Sequence, residues 1–486
     1  MDNSLLDVRD INHKYIVVGG IMAENKILIK NAAAIVCCNG RDDVYRNADM
    51  LIEGEKILEI GYGIRCDDAK ILDGKDKFVY PGLVNTHHHF FQTFVRNLAT
   101  IDYPNMLVVE WLDKIYRIFQ RIDSDVIYYS SLTAMADLVK HGCTTAFDHQ
   151  YCFTVHTKKE AVDRQMEAAS RIGIRYHAGR GTNTLPRSQG STIPDDMRET
   201  TGEFIQDTRR LIHTYHDPEP FSMKQIVIAP CQPVNCYEDT FIQSVKLSKE
   251  TGARLHTHLG EGENDIMEKR WGMRTLDWCR RIGFLGENTW FAHCWELTDE
   301  EYKVLGANGC GISHCPSPAI LGGFPILEMK KLMDYGVLLS LGCDGSATND
   351  SSNLLDSIRT AYMMQCYHSK ERGGGVSAYE ILKQATVNGA RTLGREDIGS
   401  LEEGKAADLF MIDAGTLELA GAVHDPRNII GRVGLTGNVY MTMVNGRVVY
   451  ENGRLVNVDE RGLAKEGERI CDKVLREPCE AFHNLF

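Results

Sequence analysis

From Lys26 to Tyr80 short apolar runs alternate with turn residues, in KILIKNAAAIVCC, NADMLIEGEKILEIG and KILDGKDKFVYPG. Period-two alternation broken by Gly, Asn and Asp predicts the strands of a small sheet. The pattern returns in ADLFMIDA (407–414) and in MVNGRVVYENGRLV (443–456), where Asn445-Gly446 is a hairpin signal. The two ends are expected to build one composite β-sandwich domain, from residues 26–82 and 391–456.

Between them the period changes. GLVNTHHH, CTTAFDHQ, IRYHAGRG, QIVIAPCQP, RLHTHLGE, TWFAHCWEL, CGISHCPSP and LLSLGCDGS read as eight strands, separated by helical patterns such as SDVIYYSSLTAMADLVKHG and TKKEAVDRQMEAASRIG. Repeated strand–helix alternation gives parallel strands with right-handed crossovers, so residues 83–390 are expected to form an α/β fold, a (β/α)8 TIM-type barrel. The polar residues of each run stand at its C-terminal end, where such a barrel assembles its active site. GLAKEGERICDKVLREPCEAF reads as a surface helix within a C-terminal extension, 457–486, and the first ~20 residues show no pattern.

Composition changes this picture little. Apolar residues make up 43% and charged residues 25%, as in folded globular chains. The net charge of −13 disfavours nucleic acid and anionic membrane surfaces as partners. No secretory signal or long apolar run is evident, and the 15 cysteines form no CxxC pair, so a cytoplasmic protein with reduced thiols is expected.

The candidate chemistry lies at the strand ends. On an extended strand His87 and His89 face one side and His88 the other, so two imidazoles can converge on one point. His256-Thr257-His258 repeats the device, Glu261 follows, and the sixth and eighth strands end in His293 and Asp344. Each alone has a plainer reading: Asp344-Gly345 as a turn, His293 as a core histidine, Glu261 as a helix-capping residue. Together, at one barrel mouth, imidazoles and a carboxylate suit a divalent metal, Zn²⁺ first and Fe²⁺ as the alternative, with a position open for water.

PGLVNTHHH, HTHLGE, AHC, SLGCDGS and LEEGKAADL resemble the amidohydrolase superfamily, and within it the cytosine-deaminase-like aminohydrolases that include triazine hydrolases. The resemblance spans roughly residues 26–456. It implies one metal ion per chain held by His87, His89, His258 and Asp344, with Glu261 carrying protons and His293 beside the attacking water. QIVIAPCQP has no lysine, which agrees with a single metal, because two-metal relatives bridge their ions there with a carboxylated lysine. The resemblance also implies a homo-oligomer.

HHHFFQ, HAGRGT and APCQP resemble the branch that deaminates 8-oxoguanine, so the expected substrate is a small 2-amino-4-oxo heterocycle such as 8-oxoguanine or isocytosine. Alternatives are an N-alkylaminohydrolase of the hydroxydechloroatrazine type, a cyclic amidohydrolase, and a non-catalytic scaffold. Gln92 and Arg180 are expected to read the ring's carbonyl edge, and Trp111 and Tyr151 to stack on the ring. His149 and His314, ending the second and seventh strands, are candidate pocket residues. Pro318-Ala319 and Gln232 depart from the family pattern, where Ser-Asn and Ser are expected. Those loops border the substrate, so its identity is what they leave open.

Overall fold

The computed structural model describes residues 26–98, 105–106, 108–369, 375–435 and 437–482. Eight parallel strands follow one another in chain order around a single sheet: β6 (Leu83–Asn85), β7 (Cys143–Gln150), β8 (Arg175–Thr182), β9 (Lys224–Pro230), β10 (Leu255–Leu259), β11 (Thr289–His293), β12 (Gly311–His314) and β13 (Leu338–Leu341). They are the eight runs that the sequence predicts. Last strand meets first where Thr86 donates its amide (3.1 Å) and hydroxyl (2.9 Å) to the Leu341 carbonyl, and the Asp344 amide bonds the His87 carbonyl at 3.0 Å. The barrel is thereby drawn together on the side where two candidate ligands lie.

Helices fill the crossovers as expected. Ser124–Lys140 starts on Asp123, whose carboxylate accepts the amides of Asp125 and Val126, and Ala161–Ile172 stops at Gly173, in the left-handed conformation with φ +89°. Inside the barrel Phe147, Val227 and Trp290 form an apolar plug, with the Phe147 and Trp290 rings edge to face at 4.9 Å. His256 lies against Trp290 at 4.7 Å, so the plug lies directly against the histidine cluster. Water is excluded from beneath the site.

The two ends of the chain share a nine-stranded mixed sheet. From the N-terminal segment come β1 (Lys26–Val36), β2 (Val44–Glu53), β3 (Lys56–Gly61), β4 (Lys70–Asp73) and β5 (Lys77–Pro81). From the C-terminal segment come β14 (Leu409–Asp413), β15 (Met441–Val444), β16 (Arg447–Glu451) and β17 (Arg454–Leu455). The join is the antiparallel pairing of β14 with β5, Leu409 opposite Pro81 and Asp413 opposite Lys77. The hairpin between β15 and β16 turns at Asn445 (φ +45°) and Gly446 (φ +70°), the two left-handed residues that a type I′ turn needs. A buried ion pair ties this sheet to the barrel floor: Arg175 of β8 meets Asp408 at 3.1 Å and Asn445 at 2.5 Å. Residues 460–482 form the C-terminal helix. No helix among the described residues is long and apolar enough to cross a membrane, and none of the described cysteines forms a disulfide.

Candidate active site

β6 ends at Asn85, so His87, His88 and His89 follow the strand rather than extend it. The expected division of faces still holds. His87 and His89 reach Asp344 Oδ1 through Nε2 at 3.5 and 3.2 Å, while His88 turns aside to bond the Ser352 hydroxyl at 2.9 Å. From β10, His258 Nε2 approaches His89 Nε2 at 3.3 Å.

The remaining ring nitrogens decide which atoms are free. His89 Nδ1 donates to the His149 carbonyl (3.0 Å) and His258 Nδ1 to the Cys231 carbonyl (2.7 Å). His256 Nδ1 donates to the Trp290 carbonyl (3.0 Å), so its Nε2 accepts, and it accepts from His87 Nδ1 at 3.0 Å. Each Nδ1 is thus committed as a donor, which leaves the Nε2 lone pairs of His87, His89 and His258 directed to one place. Two imidazole acceptors 3.3 Å apart beside a carboxylate call for a cation between them. His87 Nε2 and His293 Nε2 are buried without a hydrogen-bond partner. Three overlapping groups, His87/His149/His258, His87/His293/Asp344 and His258/Glu261/His293, keep their ligand atoms within 4.8 Å. The donor set fits a divalent metal.

For His87 and His258 electrostatics point the same way, whereas at His89 burial is outweighed by the Asp344 carboxylate, which raises the imidazole above its ordinary value. Burial, reinforced by neighbouring imidazoles, holds His258 well below the ordinary histidine range, and burial takes His87 down to about 3, so both rings are neutral and able to ligate. Burial would raise Asp344, and only positive charge or a proton at the His87 and His89 Nε2 positions keeps the carboxyl well below the usual carboxylate range, a charge that a metal ion there would supply. Glu261 goes the other way: burial first, then the charges of Asp344 and Glu263, pushes it well above its ordinary value. Its carboxylate stands 3.5 Å from His293 Nε2, and Asp344 Oδ2 lies 3.9 Å from the same nitrogen. His293 (φ +70°) and Asp344 (φ +65°) both hold left-handed backbone conformations, a cost of order 1–3 kcal/mol that folds retain mainly where function needs the side chain aimed.

A cavity of about 240 Å³ opens over this cluster. Gln92, Trp111, Tyr151 and Gln232 line it, as the sequence suggests, together with Tyr116, Val234, Ile266 and Trp295. The Gln92 amide accepts from the Ala347 backbone (3.2 Å) and donates to the Tyr151 hydroxyl (3.3 Å). It packs so closely on Gly345 that a Cβ there would meet its oxygen at 1.8 Å, so any larger residue would displace the Gln92 amide. Tyr151 stands edge-on to His89 at 4.8 Å. His314 borders a neighbouring recess, and His149 supports the cluster through its carbonyl while its Nε2 donates to Ala229 (2.8 Å).

Arg180 requires a correction. Its guanidinium is 1% exposed and does not line the cavity: Glu199 takes Nη1 and Nη2 at 2.7 and 2.8 Å, Asp207 takes Nε at 2.9 Å, and Phe153 covers its face at 3.9 Å. A strand-end arginine looks the same in sequence whether it meets a ligand or two carboxylates 19 and 27 residues away.

Residues 78–449 match the Amidohydrolase family. The chain belongs to the amidohydrolase family. This amidohydrolase is 45% identical over 453 residues to the hydroxydechloroatrazine ethylaminohydrolase of Pseudomonas sp. (strain ADP), a match covering 92% of this chain and 94% of that protein. It is 35% identical over 404 residues to the 8-oxoguanine deaminase of Pseudomonas aeruginosa, covering 82% and 88%. Its fold is similar to that of the atrazine chlorohydrolase of Arthrobacter aurescens TC1 complexed with zinc, with a TM-score of 0.88, 28% identity, and coverage of 92% of this chain and 100% of that one. The sequence reading of a C–N hydrolase thus stands, and these relatives favour the alkylamine alternative over the 8-oxoguanine substrate first expected.

Some contributors escape the sequence. Glu263, His256 as the partner of His87, and the Cys231 carbonyl are read only from the fold. His256 shares the H-x-H signal with His258, yet its Nε2 is spent on His87. Nothing in HLGEGEN separates Glu261, which faces the cavity, from Glu263, whose carboxylate is turned back onto the loop's amides.

Proposed function

We propose that this enzyme hydrolyses the bond between a heteroaromatic ring carbon and an alkylamine, with a hydroxylated triazine such as hydroxydechloroatrazine as substrate class. The observation that carries the reading is the wall of the cavity. The cationic Arg180 is absent from it, while Trp111, Tyr116, Val234, Ile266 and Trp295 offer apolar surface suited to an alkylated ring. The identity to a named ethylaminohydrolase supports it. The 8-oxoguanine reading depends on two groups for the carbonyl edge, and of these Gln92 alone borders the cavity.

His87, His89, His258 and Asp344, whose Nε2 and Oδ1 atoms face one another, would hold the metal, and zinc is proposed because the similar atrazine chlorohydrolase structure contains it. Zinc there would lower the pKa of water from near 15.7 to about 7 and so supply a nucleophile at neutral pH. Glu261, whose carboxyl burial and the nearby Asp344 charge push above its ordinary value, gives a proton to the ring nitrogen beside the attacked carbon as charge builds there. Asp344 takes the proton left on the attacking oxygen and passes it to the departing amine nitrogen. His293 Nε2, between the two carboxylates at 3.5 and 3.9 Å, orients the water and steadies developing charge. Gln92 and Tyr151 position the ring.

The test measures alkylamine and ammonia release from hydroxylated N-alkyltriazines, 8-oxoguanine, isocytosine and a cyclic amide. Alkylamine release with the highest kcat/KM is expected. Efficient turnover of 8-oxoguanine or isocytosine with no alkylamine release would overturn the reading.

A further inference from the structure

Beside the main cavity lies a second, much smaller recess of about 10 Å³, enough for a group about the size of one water. The two spaces share Glu261, His293, Trp295 and Asp344, but Gln92, Trp111 and Tyr151 border the main cavity alone. Beyond the shared residues Pro318, Ala319, Phe324 and Leu327 give the recess an apolar side, and His314, whose Nε2 has no hydrogen-bond partner, gives it one polar edge. Its walls are held firmly. The Phe324 ring stacks on Trp295 at 4.6 Å and 8°, and its amide bonds the Ala319 carbonyl at 2.9 Å. Gln365 clamps the far side, donating to the Leu327 carbonyl at 2.9 Å and accepting the Met329 amide at 3.1 Å.

We infer that this recess receives the N-alkyl group of the departing amine and that Ala319 and Phe324 set the length of chain accepted. The inference rests on the alkylaminohydrolase reading above and deepens it. A leaving nitrogen protonated by Asp344 must lie against that carboxylate, while the ring occupies the side bordered by Gln92 and Tyr151. The substituent on that nitrogen therefore points past Asp344 and His293, into the recess. A recess of this size takes a single methyl-sized group, so an ethyl substituent would place only its terminal carbon there, and a branched chain has no room. Ala319 and Pro318 occupy the departure noted in the sequence, where the family pattern has Ser-Asn, so polar side chains expected at this position give way to a methyl group and a ring.

Four hydroxytriazines identical except for their amine (unsubstituted, N-methyl, N-ethyl and N-isopropyl) test the assignment, with kcat/KM measured for wild type, Ala319→Leu and Phe324→Ala. Ala319→Leu fills the recess and is expected to lower the ratio of N-ethyl to unsubstituted kcat/KM about tenfold or more, since one methylene in an apolar pocket is worth roughly 10- to 200-fold. Phe324→Ala enlarges it and is expected to raise the ratio of N-isopropyl to N-ethyl at least fivefold. Movement of either ratio by at least fivefold in the stated direction supports the assignment. If wild type releases ethylamine but neither ratio moves fivefold, the recess assignment falls and the alkylaminohydrolase reading survives. If wild type releases no alkylamine at all, both fall.

Discussion

Glu263 holds Glu261 in place through the backbone. Its carboxylate accepts the Gly260 amide at 2.6 Å and the Glu261 amide at 2.7 Å, fixing the turn on which the proton carrier stands. Gly260 (φ +63°) makes that turn possible, because it lies in the left-handed region and its missing Cβ leaves room for Leu297 and Cys294. Two carboxylates two positions apart are thus set differently, Glu261 facing the cavity and Glu263 buried against the amides of the turn that carries it.

Glu263→Ala should therefore lower kcat more than it raises KM, at unchanged metal content. It strands two amides, and an unmet buried donor costs about 1–3 kcal/mol, so the denaturation midpoint should fall as well. Rescue of kcat by Glu263→Gln, which keeps one acceptor, would mark positioning as the cause. A KM effect alone would place Glu263 with the ring contacts instead.

Glu261→Gln should keep the metal and the fold while reducing turnover by roughly 10²–10⁴-fold, the usual loss when a general acid–base is removed. The amide fills the same volume beside His293 but carries no proton to the ring. Activity within tenfold of wild type would take Glu261 out of the mechanism.

Elemental analysis should find one metal ion per chain, lost when His87 and His89 are both replaced by Ala. His256→Phe should retain the ion 10- to 100-fold less tightly in competition with a chelator, because it removes the acceptor that fixes the His87 ring. Two ions per chain, or full occupancy in the double variant, would refute the ligand set.

How far the sequence reaches is clearest at the barrel. Period-two runs ending in polar residues are visible without a structure because both the periodicity and the polar strand ends are local; the candidate pairs His87/His89 and His256/His258 follow from them, while the choice of His258 over His256 comes from the family resemblance. The partners of those ligands are not local: His256 and Trp290 lie 34 residues apart, and His87 and His256 lie 169 apart. Arg180 shows the same limit from the other side, since its place at a strand end is legible but the carboxylates that occupy it are not.

Arg180 accordingly yields a prediction opposite to the sequence expectation. Its guanidinium is buried between Glu199 and Asp207; without it Asp207 keeps Arg210 at 2.8 Å, but Glu199 loses its cation. Arg180→Ala should cost about 3 kcal/mol in chemical denaturation, the low end of the range for breaking a buried ion pair. Arg180→Lys should recover part of that stability but not all, because one ammonium cannot serve Glu199 through both Nη atoms and Asp207 through Nε in the same fixed plane. What neither variant should do is change preference among ring substrates, since the side chain does not reach the cavity. The measurement is the ratio of kcat/KM for N-alkylaminotriazines with and without the hydroxyl substituent on the ring, taken below the unfolding transition. A selective loss on the oxygen-bearing ring, with stability unchanged, would return Arg180 to the binding site and revive the carbonyl-reading role that its present partners deny it.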